Sequence, residues 1–323
     1  MIPSLIAIAV GLIILIAGAE GLVRGASSLA AKLRISALVI GLTVVSFGTS
    51  APELTVNLLS AANGSSDLAI GNVVGSNIVN ILLILGITAM IVPLTVKSTT
   101  VWKEIPLAML GVVLLLVMGN DQFFDGVPFN SITRTDGIVL VALMGIFMYY
   151  IFGMAKSDRA NKDMNQDDIK QYSVPASVGL TVAGLIGLVI GGRLLVNGAI
   201  DIARLAGLSE ALIGLTIVAI GTSLPELATS VVAALKKQAD IAIGNVVGSN
   251  IFNVFFVLGT TSVILPLPFN SNINFDVGVA IGATGLLFLF MFIGGKKRHL
   301  VRLEGIMFIG LYVGYLVYLV IRG

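Results

Sequence analysis

The chain contains no cysteine and a single histidine, His299, set in a basic turn. Disulfides and thiolate metal sites are thereby excluded, and without an HExxH string or a second histidine an intramembrane zinc protease has no ligands to work with. The glycine-rich strings lead into no strand pattern and no GK[ST], so nucleotide binding has no support; neither a cofactor nor a nucleic-acid partner is expected. Charge is also scarce. Charged residues make up 11% of the 323 positions and hydrophobic ones 57%, with a mean hydropathy of +1.04, whereas a soluble domain carries nearer ~25% charged residues. Such a chain needs a lipid bilayer as its solvent.

At about 20 residues per span, candidate transmembrane segments fall near 3–24, 36–61, 69–92, 102–119, 136–155, 175–197, 209–235, 242–265, 275–294 and 303–321. The expected fold is therefore an all-α polytopic membrane protein with ten transmembrane helices. Its longest polar stretch, Lys156 to Ser173, is too short for a second folded domain. The organisation this predicts is a first half over 1–155, a short linker over 156–174 and a second half over 175–323. Basic residues crowd one set of loops, with Lys32, Arg34, Lys97, Lys156, Arg159, Lys162, Lys170, Lys236, Lys237 and Lys297 among them, while the opposite face keeps Arg134, Arg193, Arg204 and Arg322. The positive-inside rule then predicts a multi-pass protein of the plasma (inner) membrane with both termini outside and the 156–173 loop in the cytoplasm.

What the sequence does have is duplication. Gly41 to Leu94 and Gly214 to Leu267 are one gapless segment written twice: Glu53 answers to Glu226 and Asn72 to Asn245, each pair 173 residues apart. Gly11 and Gly25 fall on Gly184 and Gly198 at the same offset, and Arg134-Thr135-Asp136-Gly137-Ile138 resembles Arg302-Leu303-Glu304-Gly305-Ile306. The first span is thus part of the repeat, and the Ala17-Gly18-Ala19 triplet is not read as a signal-peptide cleavage site. Five spans per copy make the second copy enter from the other side, so the halves are expected to be two inverted five-helix repeats, as in many secondary transporters.

Each copy places a glutamate inside apolar sequence. A carboxylate in hydrocarbon costs at least ~3 kcal/mol and must be paired or face a polar cavity, yet no Lys or Arg lies within the apolar cores of these two spans. Ser46, Thr49, Ser50 and Glu53 fall on one helix face; Thr222, Ser223 and Glu226 repeat the stripe, with Ala219 in the place of Ser46. Asn72, Ser76 and Asn80, and again Asn245, Ser249 and Asn253, step by four along another face. All are oxygen donors, which suit Ca²⁺ and Na⁺ and not soft metals. Pro52 and Pro225 cannot donate to the carbonyls of Gly48 and Gly221, so each helix should kink beside its glutamate.

Blander readings hold for other residues. Gly71, Gly75, Gly244 and Gly248 are read as close helix packing. Glu20 is read as a pairing charge near the cytoplasmic end of the first span, and Asp67 and Asp240 as helix N-caps.

Gly48-Thr49-Ser50-Ala51-Pro52-Glu53 with Gly71-Asn72-Val73-Val74-Gly75-Ser76-Asn77, and their second copies, resemble the α-repeats of the sodium/calcium exchanger family, within the cation/calcium antiporter superfamily and most like its compact prokaryotic members. The resemblance implies a transporter and not an enzyme, with four cation positions in a row near the membrane midplane. A central Ca²⁺ site would use Thr49, Glu53, Thr222 and Glu226. One Na⁺ site would use Ser46, Ser50, Ser76 and Glu226, and its inverted twin Ala219, Ser223, Ser249 and Glu53, with Ser46 and Ala219 acting through main-chain carbonyls. Asn80 and Asn253 would flank the centre; where potassium-dependent relatives carry Asp in the place of Asn253, this chain has an amide, which implies K⁺-independent exchange. Transport is expected to be electrogenic Na⁺/Ca²⁺ antiport by alternating access in the direction of Ca²⁺ extrusion, with the first and sixth spans moving and with a monomer as the assembly. Two alternatives stay open at this point: an H⁺/Ca²⁺ antiporter using the same glutamates, and a cation channel.

Overall fold

The computed structural model describes residues 2–160, 171–206, 219–293 and 297–322. Eight helices in it are long and apolar enough to cross a bilayer: α1 (Ile2–Leu33), α4 (Ser66–Ile91), α5 (Thr100–Met118), α6 (Arg134–Ala160), α7 (Val174–Leu205), α10 (Ala239–Ile264), α11 (Ser271–Ile293) and α12 (Arg302–Arg322). A further span is broken, α2 (Ala37–Thr49) meeting α3 (Ala51–Ala62) at a 41° bend. Helices α8 (Ala219–Thr222) and α9 (Leu224–Leu235) occupy the described part of the span expected at 209–235; residues 207–218 lie outside the described residues.

The spans expected at 3–24 and 175–197 are each longer than the sequence predicts, reaching 32 residues in α1 and α7. At 1.5 Å per residue that is about 48 Å, well beyond a hydrocarbon core of about 30 Å. The extension comes from packing, not hydropathy: Ala26, Ser27, Ser28, Ala30 and Ala31 are all buried. Gly11 lies against Gly191 and Leu195, Gly18 against Gly184 and Leu188, and Gly25 against Ser177 and Thr181. Rising numbers on one helix meet falling numbers on the other, so the two run antiparallel with backbones in direct contact. A Cβ at Gly184 would stand 2.4 Å from the Leu22 nitrogen, a distance only helix separation can relieve. Gly184→Val should therefore destabilise the protein by about 1–3 kcal/mol, read as a lower midpoint of thermal unfolding in detergent; an unchanged midpoint would contradict the contact.

Helices α4 and α10 form the centre, with 72% and 94% of their most apolar stretches buried inside the protein. Gly244 packs on Gly41 and Leu38, and Gly248 on Ser46 and Leu42, which sets α2 parallel to α10. Among the described residues no atom comes within 4 Å of a Cβ at Gly71 or Gly75. The all-helical expectation needs one small amendment, two ladders of two residues each: β1 (Leu94–Thr95) pairs antiparallel with β4 (His299–Leu300), and β2 (Ser131–Ile132) with β3 (Leu267–Pro268). These pin the connections before α5 and α12 together at one end, and those before α6 and α11 at the other.

Asp67 and Asp240 are not N-caps. The cap positions belong to Ser65 and Gln238, and neither side chain bonds the helix. Both aspartates sit in the first turn, where a carboxylate still complements the helix dipole, and their oxygens go elsewhere: Asp240 pairs with Lys97 at 2.7 Å, and Asp67 accepts from the Asn270 amide at 3.1 Å. Glu20 is a pairing charge as expected, held by Arg24 at 2.5 Å and Lys236 at 2.9 Å.

Candidate functional site

The breaks in the two polar helices place the glutamates. Ser50 adopts φ −82°, ψ 4° and Ser223 φ −89°, ψ 5°, so α2 ends before Ser50, α8 ends before Ser223, and a new helix starts just after each. Pro52 and Pro225 occupy the first turns of α3 and α9, where a residue without an N–H is tolerated. The expected kinks are thus present, and Glu53 and Glu226 follow each proline in the first turn of its new helix, where free backbone N–H groups and the positive end of the dipole favour an anion.

Both carboxylates are buried, at 0% and 1% exposure. Among the described residues no Lys or Arg forms an ion pair with either. Their partners are hydroxyls, drawn from both halves. Ser76 donates to Glu53 Oε1 at 3.3 Å and lies 3.0 Å from the Ser223 hydroxyl, while Thr222 faces Glu53. Ser50 and Ser249 each donate to Glu226 Oε1 at 3.4 Å, and Thr49 faces Glu226. The stripes read from the sequence therefore converge, and Glu226 is bonded by hydroxyls from both copies.

Outside this ring a set of amides holds the centre together. Asn245 donates to Ser230 at 3.0 Å and to the Glu226 carbonyl at 3.3 Å, and its Oδ1 accepts from Thr49 at 3.0 Å. Asn72 repeats this with Asn57 at 2.7 Å and the Glu53 carbonyl at 3.4 Å. Asn80 donates to Asn250 Oδ1 at 2.9 Å and Asn253 to Asn77 Oδ1 at 3.0 Å. Asn77 and Asn250 in turn donate to each other's backbone carbonyls at 3.4 Å. Asn80 and Asn253 each sit in a π-helical turn, Val79–Leu85 and Phe252–Leu258, a distortion common at functional sites.

These bonds leave a pattern of unused acceptors. Glu53 Oε2, Glu226 Oε2, Asn80 Oδ1 and Asn253 Oδ1 are all buried and have no hydrogen-bond partner among the described residues. Each such group destabilises a fold by about 1–3 kcal/mol when left unmatched, and here they come as two repeat-related pairs that are all acceptors. A cation satisfies such a set; another hydrogen-bond acceptor cannot. Among the described residues no cluster of three or more His, Cys, Asp or Glu exists, so the formal charge at this centre comes from the two glutamates, and the oxygens around them are neutral.

Not every expected donor is equally free. The Ser46 hydroxyl is engaged by the carbonyls of Gly41 at 2.6 Å, Asn245 at 3.0 Å and Gly244 at 3.1 Å, and its own carbonyl accepts from the Ser50 N–H and the Thr49 hydroxyl. Ala219 opens α8, and its side chain lies outside the described residues. Sequence reasoning passed over Asn77, Asn250, Asn57 and Ser230. The signal was present, since Asn77 and Asn250 share the 173-residue offset, and Asn57 and Ser230 each lie one turn beyond a glutamate.

A cavity of about 230 Å³ opens between α3, α7, α8 and α9, lined among others by Pro52, Leu59, Arg193, Asn197, Thr222 and Pro225. It reaches the residues that flank both glutamates.

Comparison with known proteins agrees with this architecture. The family model described as sodium/calcium exchanger protein matches residues 3–153 and 176–321. The CaxA protein of Alkalimonas amylolytica is 40% identical, the match covering 98% of each chain. Sodium/calcium exchanger MaX1 of Methanosarcina acetivorans is 30% identical, with 96% of each chain covered. A solved structure of the sodium-calcium exchanger NCX_Mj, soaked with 10 mM Na⁺ and zero Ca²⁺, superposes with a TM-score of 0.81 at 34% identity over 98% of each chain.

Proposed function

This chain belongs to the sodium/calcium exchanger family, a family of multi-pass membrane cation/Ca²⁺ antiporters, and from that premise we propose that it exchanges Na⁺ for Ca²⁺ across the plasma membrane by alternating access and extrudes Ca²⁺. The observation that carries the proposal is the unpartnered pair Glu53 Oε2 and Glu226 Oε2 in one buried, oxygen-lined centre.

Two carboxylates balance one Ca²⁺ in formal charge, and sodium ions that need the same oxygens must displace it. Competition for one site is the coupling. The proposed Ca²⁺ ligands are Thr49, Glu53, Thr222 and Glu226. Ser50, Ser76 and Ser46 with Glu226, and Ser223, Ser249 and Ala219 with Glu53, are the proposed Na⁺ ligands; Asn80 and Asn253 present their spare amide oxygens beside the centre. Ser46 is the most committed of these, and its carbonyl becomes a ligand only as the Thr49 hydroxyl turns away.

Inversion of the two halves, 1–155 and 175–323, is supported by helix directions. The repeat-related α1 and α7 run antiparallel, and α2 runs parallel to α10, the counterpart of the antiparallel neighbour α4. Inverted halves give the site two routes out related by the repeat, and the glycine seam lets α1 and α7 slide together across the centre. The orientation follows from the basic loops: termini outside and residues 156–173 cytoplasmic. Both halves of the site lie in one chain, so a monomer suffices.

Proteoliposomes test the reading. Radiocalcium uptake should require an opposing Na⁺ gradient, and uptake driven by a pH gradient without Na⁺ would contradict it in favour of proton exchange. With an amide at Asn253, potassium has no third carboxylate to bind; replacing choline by K⁺ on the Ca²⁺ side should leave the initial rate unchanged, and a rate that needs K⁺ would overturn that part.

A further inference from the structure

The cavity behind the prolines carries a positive charge that ion exchange as described does not use. Leu188, Gly192, Arg193 and Val196 recur on one face of α7 at helical spacing and turn toward Thr222 and Pro225 across the cavity. Arg193 is exposed, and among the described residues no carboxylate forms an ion pair with it. The position that answers to it in the first half, 173 residues earlier, is Glu20, which carries the opposite charge and is ion-paired with both Arg24 and Lys236. Among the described residues, one half thus carries a cation without an ion pair where the other carries an ion-paired cluster, although the ion-binding centre between them is built from repeat-related positions. In the orientation proposed above, the Arg193 cavity lies toward the outer face, because α7 starts at the cytoplasmic linker and Leu59 ends the wall near the far end of α3.

Resting on the transport reading, we propose that Arg193 is a specificity-determining residue: a fixed cation in the outer vestibule that weights access from outside toward Na⁺ over Ca²⁺. The physics is the charge dependence of electrostatic work. An ion of charge z in a positive potential is disfavoured in proportion to z, and low-dielectric walls focus the potential along a cleft. If Arg193 lowers the local concentration of Na⁺ by some factor, it lowers that of Ca²⁺ by the square of that factor. For a protein that takes Na⁺ from outside and releases Ca²⁺ there, such a field selectively weakens product rebinding. Screening at physiological ionic strength reduces the effect without abolishing it within a narrow cleft.

The test is half-saturation measured separately on each face of oriented vesicles. Arg193→Gln should tighten the outer half-saturation about threefold for Na⁺ and about tenfold for Ca²⁺, leaving the cytoplasmic values as they were. Arg193→Lys should restore the wild-type values, and Asn197→Lys, adding a cation to the same wall, should weaken outer Ca²⁺ binding more than outer Na⁺ binding. The Ca²⁺ shift should shrink as choline chloride is raised. Equal shifts for the two ions, a Lys variant that behaves like the Gln variant, or no shift at all would overturn the role of Arg193. A wild-type chain without Na⁺-dependent Ca²⁺ flux would instead contradict the transport reading itself, so the two failures are distinct.

Discussion

Glu53→Gln or Glu226→Gln should lower Na⁺-dependent Ca²⁺ flux by at least about 100-fold, a loss of roughly 3 kcal/mol or more, while leaving the protein folded. The substitution is nearly isosteric, and an amide oxygen can still accept from Ser76 or from Ser50 and Ser249. What it removes is one of the two charges that balance a divalent ion, and it points an N–H₂ group at the place of a cation. Folding should be spared for a related reason. Among the described residues neither buried carboxylate has a basic partner, so removing one charge relieves a burial penalty. The expected signature is a thermal midpoint in ion-free buffer equal to or above that of the wild type, together with loss of the Ca²⁺-induced upward shift that ligand linkage gives the wild type. Exchange that survives either substitution would remove the glutamates from the mechanism.

A membrane potential should shift the balance point of exchange strongly. In the proposed electrogenic exchange, about three Na⁺ per Ca²⁺ would carry one net positive charge across per cycle, worth ~2.3 kcal/mol per 100 mV. At equal Na⁺ gradients, an interior-negative potential of about 100 mV should therefore deepen the steady-state Ca²⁺ gradient by about 50-fold. The sign follows from the direction, since inward movement of the extra charge accompanies outward Ca²⁺. Potassium diffusion potentials set with valinomycin, in vesicles of known orientation, read this through the Ca²⁺ ratio at zero net flux. An unmoved zero-flux ratio would mean electroneutral exchange and a different ion count at the centre.

The parts of this protein legible in its sequence are those that a single span dictates. A glutamate in apolar sequence is conspicuous by its cost, and its exact repetition marks a pair; a proline before it announces a break, and Ser50 and Ser223 adopt it. Spans of ordinary length were placed within a few residues for the same reason, because hydropathy alone decides them. The sequence was less informative where packing decides. The long continuations of α1 and α7 are rich in Ala, Ser and Gly, whose hydropathy is unremarkable, and they stay helical because the two backbones lie against each other. Asp67 and Asp240 looked like caps by position, yet Asn270 and Lys97, brought in from distant connections, take their oxygens. The crossed amides of Asn77, Asn80, Asn250 and Asn253 depend on how two helices from different halves meet, which no single stretch of sequence specifies. Their repetition was visible; their partners were not.

In the proposed exchange, one buried centre takes either Ca²⁺ or Na⁺, never both in full. Equilibrium binding of radiocalcium to the purified protein, titrated with Na⁺, tests it without vesicles, gradients or orientation. One high-affinity Ca²⁺ per chain is expected, displaced completely by Na⁺ and absent from Glu53→Gln and Glu226→Gln. Calcium that stays bound at saturating Na⁺, or that binds equally well to both variants, would contradict it.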